Sequence, residues 1–229
     1  MSLRDGAVVL GGARTAMGRL QGSLSSLSAA DLGGFAIAGA LERSGVQPTD
    51  IDYVVLGQVL QAGSGQNAAR QAAIAGGLGM AIPALTINKV CLSGIDAIAL
   101  ADQMIRAGEF DAVVAGGMES MSQAPHLLIG SREGKKYGDW TMIDALAFDG
   151  LTCAFDECAM GEATERYNDR YALTRQEQDA VAEASHRRAA AAQSVGILAE
   201  EITPVRIPQR KGDDIVVTED EGIRAETTA

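Results

Sequence analysis

The chain has 229 residues, enough for one sizeable domain or two small ones. A formal charge of −11 argues against nucleic acid or an anionic membrane surface as the main partner. Three cysteines in a chain this long do not make a disulfide framework, which points to a reducing cytoplasm.

Apolar residues make up 47% of the chain but aromatics only 4%, so alanine and glycine supply much of the core. That composition suits helices packed closely on a sheet. The start, Met1-Ser-Leu-Arg-Asp-Gly6, has no apolar stretch of the kind a secretory signal needs. No apolar run reaches the length of about eighteen residues that spans a bilayer.

In chain order, Gly6 to Gly12 holds Ala-Val-Val-Leu and reads as a buried strand ending in a Gly-Gly turn. Ser28 to Gly45 reads as a helix with Ser28 as N-cap, Asp31 in the first turn and Gly45 closing it. Asp52 to Leu60 is the next strand, and Gln66 to Gly76 an alanine-rich helix. Ala84 to Val90 is a short β-branched strand, after which apolar residues recur at helical spacing from Leu92 (Ile95, Ile98, Ile105). On a wheel, Leu100, Met104, Ala97, Ala101, Ile105 and Ile98 cover about 160°, more than one covering layer requires. Ala112 to Ala115 is a fourth strand.

Strands alternating with helices predict an α/β fold: a mostly parallel sheet with right-handed crossovers and helices on both faces. After Met118 the pattern changes. A polar, glycine-rich loop runs from Gly130 to Gly138, and Thr174-Arg-Gln-Glu177 is a capping box for a helix to about Gln193, stopped by Gly196. Ile202 to Ile207 and Ile215 to Val217 read as a hairpin. Two domains are expected: residues 1–117, the α/β half, and residues 118–229, a mixed α+β lobe.

Cys91 falls where strand changes to helix, expected on the helix's first turn. Open N–H groups and the helix dipole favour a thiolate there, the nucleophilic form of cysteine. The alternative is a small buried hydrophobe. Gly63-Ser-Gly65-Gln-Asn-Ala68 matches a dinucleotide fingerprint, but Asn88 and Lys89 stand where the ribose-binding acid belongs. Gly11 to Gly18 has the glycines of a phosphate loop without its Gly-Lys-Ser/Thr ending. Cys153 and Cys158 lack the close pairing or histidines of a zinc site and read as two partly buried free thiols, so no metal is expected. His186 sits beside Arg187 and Arg188 on what reads as a solvated helix face.

The string Asn-Lys-Val-Cys91-Leu-Ser-Gly, followed by Phe110-Asp-Ala-Val-Val-Ala-Gly-Gly-Met-Glu-Ser-Met-Ser-Gln-Ala-Pro-His126, closely resembles the thiolase family, in particular its acetyl-CoA acetyltransferases. The resemblance runs from Val8-Leu-Gly-Gly-Ala-Arg-Thr-Ala-Met-Gly to the last residue. It implies that Cys91 is acylated by the substrate and that the reaction is a reversible condensation of two acetyl-CoA to acetoacetyl-CoA and coenzyme A, in fatty acid metabolism. Coenzyme A enters as substrate and product, with no tightly bound cofactor.

By the same matching, Arg224 lies against the adenine end, and Leu151 and Met160 line the pantetheine channel. A dimer of dimers is implied, with Gly63–Ala68 near a subunit contact. The basic residues Arg132, Lys135, Lys136, Arg206, Arg210 and Lys211 are further candidates for an anionic ligand, although a solvated charged face explains most of them singly. His126 belongs to a loop that does not hold the family's catalytic histidine. The base histidine, the second cysteine and the last strand of the N-terminal half belong to motifs that do not occur in these 229 residues, so the chain is expected to be an N-terminal portion. Ala159 stands where several biosynthetic thiolases carry histidine, which leaves acyl-chain preference open. A β-ketoacyl synthase of the same superfamily, or a non-catalytic module, remain as alternatives.

Overall fold

The computed structural model describes residues 6–229; Met1–Asp5, part of the segment read above for a leader, lie outside it. The chain divides into two compact units, residues 1–123 with 201–221, and residues 124–200 with 222–229.

In the first unit, α1 (Ala29–Ser44) starts at a capping box in which Ser28 and Asp31 satisfy each other's backbone N–H groups, and it ends at left-handed Gly45. β1 (Tyr53–Gly57), α2 (Ala68–Ala75), β2 (Ala84–Ile87), α3 (Ser93–Ala107) and β3 (Val113–Gly117) follow. The three strands form one parallel sheet in the order β2-β1-β3, with Val55 opposite Leu85 on one side and Ala115 on the other. The expected α/β architecture is therefore present.

β1 is the central strand, and its alternation sorts the layers. Val54 and Leu56 join Ile37, Leu41, Ala69, Ala72 and Ala73 in the core shared with α1 and α2. Gly57 points to the opposite face, where a Cβ would stand 2.5 Å from that of Ser93 on α3. Small residues set the spacing on the first face too: a Cβ on Gly34 of α1 would meet Ala75 of α2 at 2.6 Å. That is the physical use of the alanine- and glycine-rich composition.

The expected strand at Gly6–Gly12 does not form. Ala7 donates its N–H to Asp102 Oδ1 at 2.9 Å, but a cavity of about 530 Å³ separates residues 7–13 from β3. An apolar extended run becomes a strand only when a neighbour accepts and donates along its length, and among the described residues none pairs with this one. Val8, Val9 and Leu10 are 77%, 86% and 64% exposed.

β6 (Val205–Ile207) and β7 (Ile215–Val217) form the expected antiparallel hairpin, Val205 opposite Val217. It belongs to the first unit, and an ion-pair system is among the contacts that tie its flanking residues there. Arg14 grips Asp220 with both terminal nitrogens (2.7 and 2.9 Å) and Glu201 with Nε (2.8 Å), while the Met17 N–H also donates to Asp220. The Arg14 guanidinium is the main reason the buried Asp220 carboxyl ionises below its ordinary range.

Its folded pKa being the lower, the pair stabilises fully above the unfolded value of about 4 and loses that contribution as pH falls through the folded one. Asp220→Asn is expected to cost about 2–4 kcal/mol in urea unfolding at pH 7. It should also remove part of the acid dependence below about pH 4. A loss under about 0.5 kcal/mol would show that the pair merely decorates the surface.

In the second unit, β4 (His126–Leu127) and β5 (Ile143–Asp144) pair antiparallel. A π-helical turn, Leu146–Leu151, follows, and then α4 (Met160–Tyr171) and α5 (Arg175–Ser194). The capping box of Thr174 and Glu177 opens α5 as expected. The sequence pattern did not single out α4, whose run Met-Gly-Glu-Ala-Thr-Glu-Arg-Tyr-Asn-Asp-Arg-Tyr is polar nearly all round.

Candidate active site

The strand ends of the parallel sheet, where open α/β sheets bind their ligands, carry Cys91. β2 stops at Ile87, whose carbonyl accepts the Gln58 N–H at 3.0 Å, and five residues then turn the chain into α3. The first helical residue is Ser93 and Leu92 is the N-cap, so Cys91 lies just ahead of the helix rather than on its first turn. The displacement has a local cause. Val90 has φ +51°, a left-handed turn that delays the helix. The Asn88 carboxamide oxygen accepts the Val90 N–H at 2.9 Å, and the buried Ser93 hydroxyl bonds to both Lys89 and Val90. Neither Ser93 nor Val90 stood out in the sequence, because no propensity signals a left-handed valine.

Glu119, two residues past β3, belongs to the same edge. Its half-buried carboxylate accepts the N–H groups of Val59 (2.8 Å) and Leu60 (3.3 Å), and the Val59 carbonyl accepts from Asn88 at 3.4 Å. Burial pushes the Glu119 carboxyl up, partly offset by those hydrogen bonds. The Gly-Gly-Met-Glu-Ser-Met string thus braces the loop that Asn88 touches.

All three cysteines are free; Cys91 is exposed, Cys153 half-buried and Cys158 buried. Limiting iodoacetamide at neutral pH is expected to modify Cys91 roughly tenfold or more ahead of the other two. Peptide mapping that finds Cys153 or Cys158 modified first would remove Cys91 from consideration.

The other site candidates belong to the second unit. Thr152 and Ala159 bridge, and the Cys153 N–H donates to the Cys158 carbonyl at 2.8 Å, closing a small loop. Leu151 and Met160 flank that loop at its two ends, 43% and 41% exposed. Arg224 donates its backbone N–H to His186 Nδ1 at 3.2 Å, and its guanidinium lies 3.2–3.4 Å from Nε2. His186 is therefore half-buried against Arg224 and not on a solvated face, a correction that only the fold of residues 222–229 onto α5 supplies. The basic residues divide: Arg206, Arg210 and Lys211 lie on or beside the β6–β7 hairpin of the first unit, and Arg132, Lys135 and Lys136 in the second. Among the described residues, no group of three or more His, Cys, Asp or Glu is placed to hold a metal ion. No described helix is long and apolar enough to cross a membrane.

Comparison with known proteins matches residues 7–229 to the family model described as "Thiolase, N-terminal domain". A probable acetyl-CoA acetyltransferase of Mycobacterium leprae is 60% identical over 223 residues, covering 97% of this chain and 57% of that protein. Acetyl-CoA acetyltransferases of Thiocystis violacea and Cupriavidus necator are 48% and 49% identical, over 99% and 96% of this chain and 58% and 56% of theirs. The chain thus spans somewhat more than half the length of the curated relatives it matches.

Proposed function

Since the chain belongs to the thiolase family and is its N-terminal portion, we propose that Cys91 is the residue acylated during acyl transfer between coenzyme A thioesters. The Cys91 thiolate attacks the thioester carbonyl of acyl-CoA, and the coenzyme A thiolate leaves and takes up a proton. The acyl group then rests on Cys91 as a thioester close in energy to the one broken, so transfer runs both ways. A second acetyl-CoA, deprotonated at its methyl carbon, attacks that carbonyl, forms acetoacetyl-CoA and releases Cys91. The Cys91 N–H, next to the start of α3, is proposed as a donor to the oxyanion in both steps.

The observation that carries this reading is that the one exposed thiol stands at the strand-to-helix turn on the ligand-binding edge of the sheet. Arg224, Leu151 and Met160 are proposed as contacts of coenzyme A. A cytoplasmic homo-oligomer is proposed as the setting, in keeping with three free cysteines. The relatives' names favour this activity over a β-ketoacyl synthase.

Incubation with acetyl-labelled acetyl-CoA, an acid quench and peptide mapping test the step. Label is expected on the peptide containing Cys91 and absent after Cys91→Ala. Label on Cys153 or Cys158 would overturn the assignment. A Cys91-bound burst without turnover would mark the chain as acyl acceptor only, and absence of any label would favour the non-catalytic module.

A further inference from the structure

Val90 is a β-branched residue in the left-handed region, a conformation that persists only where its surroundings impose it. Two side chains do so. The Ser93 hydroxyl donates to the Val90 carbonyl at 2.6 Å and accepts the Lys89 N–H at 2.8 Å, so one buried group closes residues 89–93 around Cys91. The Ser93 backbone N–H donates to the same carbonyl at 3.1 Å. From the other side the Asn88 oxygen accepts the Val90 N–H at 2.9 Å. Ser93 is buried and packs closely on Gly57 of the central strand, where a Cβ would stand 2.5 Å from its own. The sheet's middle strand thereby sets the height of the turn that presents the thiol.

We infer that Ser93, assisted by Asn88, is a positioning residue: it holds Val90 left-handed and so fixes the Cys91 backbone at the start of α3. The inference rests on the proposed role of Cys91 for its functional meaning, but its geometry and its test do not depend on acyl transfer. Losing the Ser93 hydroxyl lets Val90 relax toward negative φ, which turns Cys91 away from the helix start.

The test is the rate of Cys91 alkylation by iodoacetamide at neutral pH, followed by peptide mapping in the folded protein. Ser93→Ala is expected to slow it roughly fivefold or more, by moving the sulfur from the helix N-terminus. Glycine adopts positive φ without strain, so adding Val90→Gly to Ser93→Ala should bring the rate back to within about twofold of the parent. A purely structural loss at Ser93 would not be repaired at residue 90, whose side chain is half exposed.

Should Ser93→Ala not yield folded protein, Asn88→Ala, at an exposed position, carries the same pair of measurements with and without Val90→Gly. A parental rate in the single variant, or no recovery in the double, overturns the inference. If these rates behave as expected while acetyl label never reaches Cys91, the acyl-carrier reading fails and the positioning role stands.

Discussion

Cys91→Ser is expected to lower acyl transfer by roughly 10³-fold or more in a protein that carries this chain within its relatives' full length. A serine hydroxyl ionises far less readily than a thiol, so little of the attacking anion exists at neutral pH. The ester it would form also lies below a thioester in energy, and the return transfer to coenzyme A becomes uphill. Both half-reactions suffer, so the loss should appear in kcat more than in KM. Measured by acetoacetyl-CoA thiolysis, turnover within tenfold of the parent would show that the acyl group is carried elsewhere. The substitution is nearly isosteric at an exposed position, so folding should be unaffected, which circular dichroism checks.

The second large effect concerns the 229-residue chain by itself, which is expected to self-associate. α3 covers the sheet with Ser93, Ala97 and Ala101, all buried, and leaves Leu92, Ile95 and Ile98 between 52% and 69% exposed. Val8, Val9 and Leu10 are exposed as well, across the cavity from β3. β3 pairs only with β1 among the described strands, and an apolar edge of that kind recruits another chain. Soluble monomers rarely carry contiguous apolar patches above a few hundred Å².

Sedimentation should therefore show oligomers or aggregates, with strong binding of a hydrophobic dye. A monodisperse monomer that binds no dye would refute the argument. Steady turnover is not expected of the chain alone, because the resemblance assigns the base histidine and second cysteine to motifs absent from its 229 residues. Sustained acetoacetyl-CoA thiolysis by it would contradict that assignment.

Much of the architecture was legible because it follows from local chemistry. The capping boxes at Ser28 and Thr174, the stops at Gly45 and Gly196, and the β-branched cores of β1 and β3 each depend on residues within a few positions. The hairpin of β6 and β7 is likewise a short-range pairing. The motif around Cys91 pointed to the family, and to Cys91 as the nucleophile proposed here, because its chemistry is concentrated in one short stretch.

What the sequence determined by itself, then, was the type of most elements, the α/β order and the family. Tertiary structure decided where partners lie far apart along the chain. Ala7–Leu10 has the composition of a strand, but composition does not supply a neighbour to complete the ladder. His186 meets Arg224 only because residues 222–229 return to α5. Arg14 and Asp220, 206 positions apart, form one of the ties between the hairpin segment and the rest of the first unit. At the site itself, the left-handed Val90 is bonded by Ser93, which packs on Gly57, thirty-six residues earlier. Local propensity at Val90 favours the opposite sign of φ, and only the packing of α3 on the central strand makes the rarer conformation the stable one.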